Sequence, residues 1–157
     1  MVNHAGVYGT FAEVAMTVLA LLTSIVLLLI GALHVVWMFS PWPLRTREEF
    51  ARRVVDVPVD KLPTPGMTAV VALLLGVAGY LVSARVDLVP VAGPGWLPAV
   101  GTGGVAAVLL LRGAGGLVIS SRRSTEFARL DRRYYSPLCL SLAASCATVA
   151  LLGPAHP

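Results

Sequence analysis

The chain has 157 residues, 57% of them hydrophobic and only 13% charged, roughly half the charged share of about 25% in an ordinary globular domain. Its formal net charge is +4, from 12 Lys and Arg against 8 Asp and Glu. This is a membrane composition. It leaves no room for a second domain, and the acids interleaved with its bases argue against a nucleic-acid partner.

Uncharged runs cover residues 14–33, 62–84, 88–111 and 138–155. Each is near the requirement of about 20 residues for crossing a hydrocarbon core of about 30 Å. The expected fold is an all-α integral membrane protein, a four-transmembrane-helix bundle in one domain over residues 1–157. The expected spans are residues 11–39, 66–86, 97–120 and 136–153, with a short interfacial helix in the first inner loop. No Lys or Arg precedes the first span and no small-residue cleavage site follows a short apolar core, so no removed signal peptide is expected. Ten of the twelve basic residues fall in residues 45–61 and 122–133. The positive-inside bias makes those loops cytoplasmic, with both termini outside the plasma membrane.

The first span carries Glu13 near its start and His34 and Trp37 near its end, and it stops at "SPWP", where Pro41 and Pro43 disfavour helix and Trp42 reaches the inner interface. In "TREEFARRVVDVP", Thr46 and Glu49 form a capping box, Glu48/Arg52 and Glu49/Arg53 are favourable i, i+4 pairs, and Pro58 ends the helix. The second span carries Gly76, Gly79 and Ser83 for close helix contact. "VDLVPVAGPGWLPAV" is too rich in Pro and Gly for a helix, so the third span starts near Leu97 and places Arg112 inside the hydrocarbon or at its inner edge. A guanidinium there costs about 2.5 to 3.5 kcal/mol on the insertion scale, so it needs a partner, and Asp131 and Glu126 are the candidates. Pro137 is expected to open the fourth span. Glu49-Phe50-Ala51-Arg52 is echoed by Glu126-Phe127-Ala128-Arg129, each after an inward-running helix. Cys139 and Cys146 lie about 10 Å apart along one helix, too far for a disulfide, and read as packing residues.

No phosphate-cradling loop, HExxH, paired-Cys site, GxSxG or aspartate-rich diphosphate motif is present, so neither a metal nor a cofactor is expected. What fits is proton chemistry on a lipid-like molecule. Glu13 or Asp131 is the candidate proton donor, and His34 or the other carboxylate the acceptor. Trp37, Trp42, Tyr80, Tyr134 and Tyr135 are candidate rings facing a cation, at about 0.5 to 2 kcal/mol each. Arg112 and Glu126 complete the candidate substrate contacts. His34, Trp37, Arg112, Asp131 and Tyr135 are expected to form one inner polar layer.

At "GALHVVWMFSPWP", "EEFARRVVDVP" and "TEFARLDRRYYSPLCL" the chain resembles the small bacterial membrane proteins grouped as domain of unknown function 3995. That resemblance marks His34, Trp37, Arg112, Phe127, Asp131, Tyr135, Ser136 and Pro137. Members often carry an aspartate soon after the Arg-x-x-Gly stretch, and "RGAGGLVIS" lacks it. In size and four-span plan the chain is also similar to the small actinobacterial membrane terpene cyclases, which implies an acid–base cyclase acting on a prenylated substrate. "AEVAMT", around Glu13, resembles the first helix of small multidrug resistance exporters, which implies a proton-coupled homodimer. The leading expectation is therefore a cofactor-independent terpene cyclase acting on a prenylated or lipid-like molecule. The alternatives are an exporter using Glu13, and a non-catalytic protein that binds lipid or a partner through its basic loops, with Arg112 paired inside the bundle.

Overall fold

A computed structural model describes residues 4–154, with side chains from Gly9 onward. The segments at residues 1–3 and 155–157 lie outside the described residues. The architecture is all-helical. The first long helix, α1, runs His4–Trp37, and a short α2, Arg47–Phe50, leads into a π turn over Ala51–Val55. Two long helices follow, α3 (Pro65–Ala84) and α4 (Leu97–Ser121). The last stretch is α5 (Glu126–Leu130), a second π turn over Asp131–Tyr135, and α6 (Ser136–Leu152).

Four segments are long and apolar enough to cross a membrane: Gly9–Trp37, Pro65–Ala84, Leu97–Ser121 and Glu126–Leu152. They assemble as two hairpins, α1 against α3 and α4 against α6, with thinner seams between α3 and α4 and between α1 and α6. The distribution of side chains suits lipid as solvent. Large apolar residues such as Leu73, Val108 and Leu111 point outward, while Ala20, Ala78, Ala106, Thr23, Ser24, Thr102 and Ser136 are buried. Small residues let backbones approach, which is how helices associate where lipid tails are as apolar as the interface. At the α1–α3 contact, Ser83 Oγ donates to Ser24 Oγ at 2.9 Å and Ser24 Oγ to the Gly79 carbonyl at 3.1 Å.

The fourth span differs from expectation in part. α6 begins at Ser136 with Pro137 in its first turn, as expected, but it continues a helical path that starts at Glu126, eleven residues before Pro137, capped by Thr125, whose side chain accepts from the Ala128 amide at 3.2 Å. In a regular helix the Pro137 ring would clash with the carbonyl four residues back. The chain widens into a π turn just before it, and the Ser136 amide bonds back five residues to the Asp131 carbonyl. The basic segment expected as a loop is thus largely the first part of the span. α2 begins as expected, with Thr46 accepting from the Glu49 amide at 3.2 Å, but the Glu49 carboxylate accepts from the Arg45 amide at 3.0 Å rather than from the cap residue itself. The α1 helix ends at Trp37, two residues before the expected boundary.

Candidate functional site

Where the expected inner layer would lie, two separate clusters are found. The first is a closed polar clasp between α4 and the fourth span. Asp131 is fully buried, and its two oxygens accept from Arg112 Nη2 at 2.9 Å, Ser120 Oγ at 2.7 Å and Ser136 Oγ at 2.9 Å. Of the two candidate partners for Arg112, the structure selects Asp131, while the Arg112 side chain itself stays 44% exposed.

The backbone makes this clasp possible in two ways. Asp131 and Ser136 are five residues apart, about 140° around a regular helix at 100° per residue. The π turn brings them to one side. Arg112 extends over Gly116, one turn along on the same face. A Cβ at Gly116 would overlap Arg112 Nη1 and Ser136 Oγ and would sit 2.9 Å from Asp131 Oδ2. At Gly113 a Cβ would fall 2.8 Å from Leu140 Cγ and 3.1 Å from the Ser136 carbonyl. The glycines after Arg112 therefore set how closely the two helices approach.

The second cluster is aromatic and belongs to α1 and α2. His34 Nδ1 donates to the Ile30 carbonyl at 2.8 Å, and its ring packs against Trp37 at 4.9 Å. Trp37 meets Phe50 edge-on at 5.2 Å, and its Nε1 donates to the Trp42 carbonyl at 2.9 Å. His34 makes no hydrogen bond with Arg112 or Asp131.

The two echoed Glu-Phe-Ala-Arg segments meet at the end of the bundle that carries the basic segments. Glu126 accepts from Arg52 Nε at 2.7 Å and from Arg53 Nε at 2.6 Å, and Glu49 pairs with Arg53 Nη1 at 2.6 Å. The hydrogen bond that Arg53 donates to Glu126, together with the charge of that carboxylate, raises the Arg53 pKa above its ordinary value. Arg123 pairs with Asp56 at 3.1 Å, and Tyr135 Oη donates to the Arg53 carbonyl at 3.3 Å. Arg132 Nη1 donates to the Ser120 and Arg123 carbonyls at the end of α4.

Other expected site residues lie apart. Glu13 is exposed on α1 near the opposite end, about 30 Å along the helix from His34 at 1.5 Å per residue. Tyr80 lies toward that same end, where its hydroxyl donates to the Pro90 carbonyl at 3.0 Å and accepts from the Ala92 amide at 2.7 Å. It fastens the connection between α3 and α4 and is not part of the expected inner layer. Trp42 and Tyr134 are 62% and 53% exposed, and Arg133 lies 5.4 Å from the Tyr134 ring centre. No group of three or more His, Cys, Asp or Glu suited to a metal occurs among the described residues.

Sequence reasoning missed Arg85, which is buried and donates to the Ala150 carbonyl at 3.1 Å, to Gly153 at 2.9 Å and to Pro154 at the end of α6. Its signal was that it is the one cation in an otherwise base-free outer connection. Three recesses open on the α1–α3 face. One of about 280 Å³ is lined by His34, Trp37, Phe50 and Met67, one of about 270 Å³ includes Arg47, and an open apolar groove of about 710 Å³ runs between α1 and α3.

A two-hairpin bundle with four membrane-length helices, small residues inside and an ion pair closing its basic end defines a four-span helical membrane protein. The chain belongs to the family described as protein of unknown function (DUF3995), whose match covers residues 27–146. The matched segment contains His34, Trp37, Arg112, Gly116, Asp131 and Ser136, and leaves out Glu13. No curated protein and no solved structure matches the chain.

Proposed function

We propose that the protein is a non-catalytic, lipid-binding membrane protein whose basic end lies against an anionic leaflet, on the cytoplasmic side of the plasma membrane, with both termini outside. The observation that carries this reading is the saturation of Asp131. Its oxygens take three donors from the chain itself, so the carboxylate serves as an acceptor inside a fastening. A cyclase needs a protonated acid facing an apolar cavity among aromatic rings. None of the three recesses is lined by an acid, and Glu13 stands exposed at the far end.

The surface charge supports the same reading. The inner segments hold ten basic residues against Glu48, Glu49, Asp56, Asp60 and Glu126, with Asp131 matched by Arg112, which leaves an excess of five positive charges. Arg45, Arg47, Lys61, Arg122 and Arg129 form no ion pair among the described residues. Each cation near an anionic leaflet contributes about 1 kcal/mol of attraction.

Native mass spectrometry of the protein released from bilayers of equimolar phosphatidylglycerol and phosphatidylcholine tests this. Phosphatidylglycerol is expected among the retained lipids in an excess of about fivefold or more. Equal retention of the two lipids overturns the reading.

A further inference from the structure

The apolar groove and the cavity that holds Arg47 are neighbours: Met38 and Phe39 line both, where the groove between α1 and α3 approaches the space beside α2 and the start of α3. The groove is lined by Gly31, Val35, Ala72, Gly76 and Tyr80 among others, and no charged residue lines it. From Ala69 to Tyr80 the α3 wall rises about 16 Å at 1.5 Å per residue. That is about half of a hydrocarbon core of about 30 Å, the length of one acyl chain. The inner cavity is different in kind. Arg47 is the one charged residue that lines it, is exposed, and forms no ion pair among the described residues.

An apolar slot about one acyl chain long, beside a cavity with a guanidinium that forms no ion pair, has the dimensions and polarity of a lipid whose head carries negative charge. We propose that this pair of recesses binds one anionic phospholipid from the inner leaflet, with an acyl chain along the α1–α3 groove and its phosphate on Arg47. The assignment rests on the lipid-binding reading above and narrows it to one site. A planar guanidinium suits a phosphate because its donors match two oxygens at once. The basic charges around it, Arg45 and Lys61, raise the local concentration of anionic heads without lining the cavity. Gly76 keeps the groove open, since a Cβ there would meet nothing within 4 Å.

Trp37 lines the Arg47 cavity and can report on its occupant. In a variant carrying Trp42→Phe and Trp96→Phe it is the sole tryptophan, and the Trp42 carbonyl that accepts its Nε1 is kept. That variant is placed in phosphatidylcholine nanodiscs holding a minor fraction of chain-brominated phosphatidylglycerol or chain-brominated phosphatidylcholine. Brominated phosphatidylglycerol is expected to quench Trp37 at about one fifth of the concentration needed for brominated phosphatidylcholine. Arg47→Gln, an exposed change that leaves the fold intact, should bring the two to equality. Gly76→Leu should weaken quenching by both lipids by filling the groove. A preference that survives Arg47→Gln, or quenching unmoved by Gly76→Leu, overturns the site. So does disulfide cross-linking between copies carrying Gly76→Cys in the same nanodiscs, since a second chain would then occupy the groove. If the wild type retains phosphatidylglycerol while Trp37 shows no preference, this site fails and the general reading stands. If neither is seen, both fail.

Discussion

Asp131 and Ser136 are five residues apart in one continuous helix, and their side chains are hydrogen-bonded at 2.9 Å. The π turn that allows this also turns the carboxylate toward Arg112 and Ser120 on α4. A widened helical turn here does the work of a tertiary contact. It converts a proline that would break the ladder into the means of closing a polar clasp.

Removing the acid leaves three donors facing an apolar gap. Breaking a buried pair from one side costs about 3 to 5 kcal/mol, and the partial exposure of Arg112 places Asp131→Ala at the lower end, about 3 kcal/mol. The double change Arg112→Leu with Asp131→Leu should restore most of that loss, because no unpaired charge remains. Denaturant unfolding in detergent micelles, arranged as a double-mutant cycle, measures both; additive losses would contradict the clasp.

Gly116 and Gly76 should behave oppositely although both are helical glycines in spans. Gly116→Ala pushes a methyl group into Arg112 Nη1 and Ser136 Oγ and should destabilise by about 1 to 3 kcal/mol. Gly76→Ala meets open space and should be neutral or stabilising by up to about 1 kcal/mol. Thermal unfolding of the two variants side by side decides the matter.

Glu126→Gln removes the negative charge shared by Arg52 and Arg53, and one of the two oxygens that accept from them; their side chains are 61% and 39% exposed. Exposed pairs contribute little, so the expected loss is under about 1 kcal/mol. It should shrink further in molar salt, where the Debye length falls to about 3 Å. A loss of several kcal/mol, insensitive to salt, would show the pair to be buried in the membrane-embedded protein.

Orientation can be read with an impermeant maleimide on intact cells, in a background with Cys139→Ser and Cys146→Ala. A cysteine at Ala92, in the outer connection beside Tyr80, should label. A cysteine at Asp60, in the basic inner segment, should label only after the membrane is permeabilised. The reverse pattern would place the basic face outside and remove the cytoplasmic leaflet as its partner.

The spans were legible because hydropathy and the Pro- and Gly-rich connection are local properties: α4 begins at Leu97, where the last proline-rich turn releases the chain. Depth in the membrane was legible for the same reason, and it put His34, Arg112 and Asp131 near one end. Azimuth was not. Whether two residues at one depth face each other depends on how the hairpins pack, so the single expected layer separates into a clasp and an aromatic cluster. The choice between Asp131 and Glu126 for Arg112 turned on the same point, because Glu126 faces Arg52 and Arg53 on the other hairpin. Pro137 misled only about where the helical path of the fourth span starts, because the π turn before it is invisible in the sequence. Gly116 did carry a signal, a glycine four residues after a lone intramembrane arginine, which leaves that side chain a path along the helix.

The thin seam between the two hairpins has a consequence for how the chain is assembled at the ribosome. α1 and α3 can bury their shared surface before α4 has been made, so the first half can reach the bilayer as a finished piece with its own side of the seam unfilled. Joining then draws on fastenings at opposite ends of the bundle: Glu126 reaching back to Arg52 and Arg53, with Arg123 on Asp56, at one end, and Arg85 reaching forward to the last carbonyls of α6 at the other. Each fastening draws one partner from the earlier half and one from the later, so none can close until the second hairpin is being made. Two separately produced hairpins would still carry, between them, both partners of each fastening.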